Sequence, residues 1–191
     1  MGAPNQYNFL IHYLKNLPTG PVLEIGSKDY GNTQPFRGLF PENEYVGVDL
    51  EDGKNVDVVQ DLTEGVGDLP KNHFELVICC SILEHVKNPF KVAENISSLT
   101  VSGGILFNTT PWIWRFHPYP DDYFRYTPSA IKVLFPEFTW EDRFWYSTYL
   151  KNEIIHIGEN PFGVDDKMAR FDKDKRKYLP YLDLFGIGIK K

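Results

Sequence analysis

The chain has 191 residues, of which 42% are hydrophobic, 24% charged and 15% aromatic, and its formal net charge at pH 7 is −6. That apolar share supplies one core and excludes disorder as a description of the whole chain. The acidic balance argues against a phosphate backbone as partner, and no run reaches the ~18 apolar residues of a bilayer span, so neither nucleic acid nor membrane is expected.

The first predicted element is a helix over 5–16, where Phe9, Leu10, Tyr13, Leu14 and Leu17 recur at helical spacing before Pro18-Thr19-Gly20-Pro21 breaks it. Val22 to Ile25 reads as a short buried strand, followed by a loop from Gly26 to Asn32 and a weak helix or irregular turn over 33–39. Glu44 to Leu50 and Val56 to Gln60 read as the next two strands. Phe74 to Cys80 is an apolar strand of the kind that parallel sheets bury on both faces. Cys79 and Cys80 fall inside it, which predicts two buried thiols and no disulfide framework. A helix is predicted over 89–99, ended by Ser102-Gly103-Gly104, and a fifth strand over 105–108. From Thr110 to Tyr126 the pattern gives way to an aromatic, proline-rich loop. Thr127 then caps a helix over 129–135, with Pro128 in its first turn. Strands are expected within 140–149, 154–157 and 184–189, with a charged segment over 165–175. Strands alternating with helices imply an α/β architecture with a parallel sheet. One domain over 1–191 is expected: an N-terminal helix to 20, a core and lid over 20–135, and C-terminal strands with the charged segment over 136–191. The N-terminus shows no basic-then-apolar leader pattern, so a cytoplasmic location is expected.

The candidate site lies at the strand ends. Glu24 and a glycine loop follow the first strand, Asp49 ends the second 25 residues later, and Asp61 follows the third. In open α/β sheets ligands bind outside the carboxyl ends of the strands. A carboxylate at the second strand end can accept both hydroxyls of a ribose, and one after the third can accept the amino group of adenine. The ordered set describes an adenosine site, although each acidic residue alone is equally a turn or cap residue.

The runs Val22-Leu23-Glu24-Ile25-Gly26, Val46-Gly47-Val48-Asp49 and Asp61-Leu62, with Phe74 through Cys80-Ser81-Ile82-Leu83-Glu84-His85-Val86 and the turn Ser102-Gly103-Gly104, resemble the class I S-adenosylmethionine-dependent methyltransferases. The stretch from His117 to Pro128 is similar to a branch associated with glycan and natural-product modification. The resemblance implies a Rossmann-like, doubly wound, mostly parallel seven-stranded sheet with helices on both faces, and S-adenosyl-L-methionine as cofactor. It implies that Glu24 and Gly26 form the loop at the methionine end, that Asp49 binds the ribose with Leu50 beside the adenine, and that Asp61 and Leu62 meet the adenine edge. Ser81 would line the floor, and His85, in the Leu83-Glu84-His85 motif, would organise the pocket wall. Lys28 stands where the family commonly has a second glycine, so Gly31 is the candidate to replace it.

The expected lid carries the acceptor side. His117 is the candidate general base, because imidazole titrates near neutrality, with Asp121 and Asp122 as alternatives. Trp112, Trp114 and Tyr123 offer stacking faces, and Arg125 offers a fork for an acceptor carboxylate or phosphate, or else a partner for Asp121 or Asp122. His117, Asp121 and Asp122 match no strong ligand spacing, so no metal is expected. The expected function is methyl transfer to a small-molecule acceptor, with oxygen favoured as the acceptor atom. A non-catalytic cofactor-binding relative remains open. A nicotinamide-dependent oxidoreductase is disfavoured by the missing GxGxxG spacing.

Overall fold

A computed structural model of the chain describes residues 2–13, 18–31, 34–148, 154–157 and 182–191. The charged segment expected over 165–175 lies outside them. One sheet organises the described residues, in the order β3-β2-β1-β4-β5-β9-β7-β8, with β6 paired to β9. The strands are β1 (Val22–Ile25), β2 (Tyr45–Asp49), β3 (Val58–Val59), β4 (Phe74–Cys80), β5 (Thr100–Ile113), β6 (Phe138–Thr139), β7 (Phe144–Thr148), β8 (Ile154–His156) and β9 (Leu182–Lys190). β3 and β6 are two-residue strands added to seven longer ones. The five strands from β3 to β5 run parallel. β9 is antiparallel to β5 and β7. The chain moves outward from β1 to β3, then crosses back to β4 on the other side of β1, so strand order reverses between β1 and β4. A crevice at the carboxyl ends of those two strands follows from that reversal.

Helix α1 (Pro4–Tyr13) covers one face, and α2 (Pro89–Leu99) and α3 (Pro128–Leu134) cover the other. On the α1 face, Phe9 stacks on Phe107 with ring centroids 5.3 Å apart and lies 4.8 Å from the Phe185 ring. On the opposite face, Val92, Ala93, Ile96 and Leu99 of α2 pack with Leu23, Val77 and Leu106. The Asn88 side chain caps α2 by accepting from Lys91 N, with Pro89 at the first turn. Thr127 caps α3 as expected, accepting from Ala130 N at 3.3 Å. Cys79 and Cys80 are free and buried. Among the described residues, no helix is long and apolar enough to cross a membrane.

β5 is longer than its sequence pattern predicts, and it takes the start of the expected lid into the sheet. α2 ends at Leu99, where the Thr100 hydroxyl donates to the Ile96 carbonyl at 2.8 Å, and Thr100 then pairs with Phe74. At its other end, Thr110, Pro111 and Ile113 pair with Leu184, Asp183 and Leu182 of β9. A partner strand about 70 residues away in sequence leaves no local signal, which is why 110–113 read as loop.

The same pairing brings Asp183 under α1. Its carboxylate accepts from the Asn5 amide at 2.9 Å, and burial pushes its carboxyl up to about 6. The folded protein thus keeps a proton that the unfolded chain releases near its ordinary value of 3.8. Stability falls as pH rises across that window, and the cost is complete above it. Asp183→Asn keeps an acceptor for Asn5 and removes the charge. It should stabilise the fold by up to about 3 kcal/mol at pH above about 6, and the gain should fade toward pH 4 by about 1.4 kcal/mol for each step of one in pH. Urea unfolding of both proteins across this range measures it, and a gain that does not vary with pH would contradict it.

Candidate functional site

The turn after β1 is built for close approach. Gly26 has φ +74, and a Cβ there would collide with the Ile82 side chain beyond β4. The Gly26 and Ser27 amides donate to the Val48 carbonyl at 2.8 and 3.1 Å, which ties the turn to β2. The Ser27 hydroxyl is buried and has no hydrogen-bond partner among the described residues. Glu24 lies beneath the turn. Its carboxylate accepts from the Tyr45 hydroxyl at 2.6 Å and the Asn55 amide at 3.2 Å, and Asn55 also donates to the Ser27 carbonyl at 2.9 Å. Glu24 therefore braces the loop from below through these bonds. Asn55, at φ +74, is a supporting residue that sequence reasoning missed. Its only signal was an asparagine between Lys54 and Val56, of a residue type that tolerates the left-handed region.

Asp49 ends β2 as expected. One carboxylate oxygen accepts from Lys28 N at 3.0 Å and the other from Leu50 N at 2.8 Å, which leaves lone pairs for hydroxyl donors. Leu50 beside it is exposed. The Lys28 side chain turns outward to Glu51 at 2.7 Å. Gly31 has φ +82, a left-handed conformation that suits glycine, and no protein atom lies where a Cβ would stand. Asp61 accepts from both the amide and the hydroxyl of Thr63, at 2.8 and 2.7 Å, and stays exposed. The Leu62 side chain is buried in the α2-face core and its carbonyl accepts from Asn95, so an adenine contact there would fall to its backbone amide.

Ser81 follows β4 at φ +54, and its hydroxyl accepts from the Gln6 amide at 2.9 Å. Gln6 also donates to Thr109 at 2.7 Å, so α1 reaches over the strand ends. Sequence reasoning read α1 by its apolar residues and passed over Asn5-Gln6, two amides on its buried side. At the end of β5, the Asn108 amide atoms and the Thr110 hydroxyl are buried without hydrogen-bond partners among the described residues. The signal was there: three polar residues end an otherwise apolar run. Free polar atoms at the ends of β1 and β5, with a tight glycine turn and a strand-end carboxylate, fit a polar ligand such as S-adenosylmethionine.

The segment after β5 closes over these ends. The Glu84 carbonyl accepts from the Tyr123 amide at 2.7 Å. The Asp121 carbonyl lies 2.6 Å from His85 Nδ1. The Asp122 carboxylate is buried and takes the Arg125 guanidinium through both oxygens, together with the His117 amide at 2.9 Å. Arg125 beside it holds the Asp122 carboxyl well below the usual range. His117 Nδ1 is 3.1 Å from the same carboxylate, and its ring meets the His85 ring edge-on at 4.9 Å. Burial lowers the His85 imidazole. The Glu84 carboxylate is fully buried, with no hydrogen-bond partner for either oxygen among the described residues, and burial pushes it up to about 8.

The expected acceptor residues divide accordingly. Trp114 stands 6.1 Å from His117, and Tyr123 is exposed and donates to Asp121 at 2.8 Å. Trp112 belongs to β5 and packs against the core, so it is a wall and not a lid residue. For Arg125 the structure takes the second of the two alternatives: its terminal nitrogens donate to Asp122 and to the Trp114, Arg115 and Phe124 carbonyls.

A family model described as a methyltransferase domain matches residues 4–145. Over 61 residues the chain is 36% identical to a ubiquinone biosynthesis O-methyltransferase of Pectobacterium atrosepticum, a match covering 32% of this chain and 25% of that protein. A solved S-adenosylmethionine-dependent methyltransferase of Archaeoglobus fulgidus is similar in fold, with a TM-score of 0.62 at 20% identity over 96% of this chain and 92% of that one. So is phosphoethanolamine N-methyltransferase 2 of Haemonchus contortus with S-adenosyl-L-methionine, with a TM-score of 0.61 at 17% identity over 98% of this chain. The chain spans about half the length of the Haemonchus protein and a quarter of the Pectobacterium one.

Removing Arg125 would leave the Asp122 charge buried without its main partner. Arg125→Ala should cost on the order of 3 kcal/mol, and Arg125→Lys should recover only part of it because an ammonium lacks the paired donors. Hydrogen exchange at the His117 and Tyr123 amides should accelerate in both variants. Unchanged protection would show that the lid is held by other contacts.

Proposed function

The chain belongs to the methyltransferase-domain family, whose cofactor is S-adenosylmethionine, and on that premise we propose that it methylates a hydroxyl of a small molecule, such as a sugar or a natural-product-like acceptor. The observation that carries the acceptor chemistry is the orientation of His117 by Asp122. With Nδ1 turned to the carboxylate and to the Arg115 carbonyl at 3.2 Å, Nε2 is left as a lone pair.

In this reading the Gly26 turn, Asp49, Leu50 and Asp61 hold the nucleoside, while Ser81 and His85 line the floor and wall. Bound there, S-adenosylmethionine supplies a methyl group already activated by its sulfonium. The protein's work is then alignment, exclusion of water and removal of one proton. Trp114 and Tyr123 present aromatic faces to the acceptor ring. His117 Nε2 takes the hydroxyl proton as the oxygen attacks, and Asp122 stabilises the imidazolium that results. Asp122 is a weak base while Arg125 holds it, and Asp121 is bonded to the Tyr123 hydroxyl, so His117 ranks ahead of both as base.

Asp49→Ala should weaken cofactor affinity by about tenfold to a hundredfold, the worth of lost charge-assisted hydrogen bonds. Calorimetry with S-adenosylhomocysteine checks this, and unchanged affinity in a folded variant would remove Asp49 from the site. With an acceptor found by screening hydroxylated compounds against labelled cofactor, His117→Ala should lower turnover by about 10²–10⁴-fold while cofactor affinity holds. Full turnover in that variant would end the base assignment.

A further inference from the structure

We propose that Glu84, His85 and His117 form a binding site for a zinc-class divalent transition-metal ion. One ligand atom from each of the three lies within 4.8 Å of the other two. The case rests on what those atoms lack. The Glu84 carboxylate is fully buried in the short helical turn after β4 and accepts no hydrogen bond from the described residues. His85 Nε2 faces one of its oxygens across 3.8 Å, too far for a hydrogen bond. With Nδ1 of His85 tied to the Asp121 carbonyl, Nε2 is the lone-pair nitrogen. His117 is turned the same way by the Arg115 carbonyl and Asp122. One ligand-type atom from each of the three side chains thus lies near the other two, and neither Glu84 oxygen has a hydrogen-bond partner among the described residues.

A cation resolves that convergence, and the spacing suits one. Ligand bonds of about 2.0–2.2 Å put neighbouring ligand atoms about 3.0–3.5 Å apart and opposite ones about 4.2 Å apart. The 3.8 Å between His85 Nε2 and Glu84 is a few tenths of an ångström beyond the separation of neighbouring ligands, a gap that a small side-chain rotation closes. Two imidazoles and one carboxylate select a zinc-class ion over magnesium or calcium, which favour oxygen. Each histidine has the outer-shell acceptor that metal-ligating imidazoles ordinarily use. Glu84 brings the one carboxylate of the set, and the Arg125 charge nearby is neutralised by Asp122. The sequence concealed this set because it pairs His117 with a motif about 32 residues upstream, whereas spacing had directed attention to Asp121 and Asp122. If the ion takes His117 Nε2, the lone pair assigned to proton acceptance, then ion binding and proton acceptance exclude each other, and the ion should act as a brake on the proposed methyl transfer.

Cobalt(II) is the probe, followed by its visible absorption and by calorimetry on the full chain near neutral pH. One ion per chain should bind, displaced by zinc. Glu84→Gln and His117→Gln should each weaken binding by at least about a hundredfold, and Asp122→Asn by about ten- to a hundredfold. Circular dichroism and melting establish that each variant is folded, and His117→Gln, in the lid, serves if Glu84→Gln is not. S-adenosylhomocysteine affinity, measured in parallel, separates this result from the proposed function, since His117→Gln should leave it unchanged. No saturable cobalt binding, or binding that survives His117→Gln in a folded protein, overturns the proposal.

Discussion

A buried carboxylate sets the shape of this site. Asp122 keeps its charge with almost no access to water, and that is tolerable only where donors surround it. The donors come from its own segment: the Arg125 guanidinium three residues on and the His117 amide five residues back. A stretch rich in proline and aromatic residues, with little regular hydrogen bonding of its own, is thereby wound around one charge. Two further bonds seat it on the sheet, from the Tyr123 amide to the Glu84 carbonyl and from His85 to the Asp121 carbonyl. The position of His117 is a consequence of these bonds and not of any helix or strand.

The cofactor end is stiffened by another arrangement. Its loop is short and stands on buried Glu24 and half-buried Tyr45 and Asn55, a polar layer beneath β1 and β2. Burial and the neighbouring Glu24 charge raise the Tyr45 hydroxyl far above its ordinary range, so it remains a donor and Glu24 remains its acceptor. A loop supported from below leaves its upper surface, with Gly26 and Asp49, available to a ligand. Gln6 and Ser81 do the same for the far side of the crevice, where α1 meets the turn after β4.

Elements whose signals are local were legible in the sequence. β1, β4 and α2 fall where their apolar runs and the helical spacing from Pro89 place them. β5 was legible only in its middle, because its ends are fixed by Phe74 at one side and by β9 at the other. The strand-end logic located Asp49 and Gly26, since both follow from topology. It did not give the direction of the Glu24 and Leu62 side chains, because whether a strand-end side chain faces the crevice or the core depends on the pleat and on the helix packed over it. Arg125 and Glu84 were ambiguous for a related reason. A charged residue's partner is a matter of three-dimensional proximity, and adjacency in sequence gave two candidates for the first and none for the second.

Lys28 shows why departure from a family pattern need not change a backbone. Its position is not among those with positive φ, so glycine's conformational freedom is not required there. What a lysine adds is bulk, and the chain directs that bulk outward, over the Tyr30 ring at 5.3 Å and along Gly53, where any larger residue would meet the lysine stem at 2.9 Å. The Lys28 amide still reaches the Asp49 carboxylate. The ion pair that holds the side chain, with Glu51, is solvent-exposed on the glutamate side and therefore weak. The loop thus keeps its backbone donor in place while the lysine side chain lies outside it, and the glycine at 53 is what makes room for that side chain.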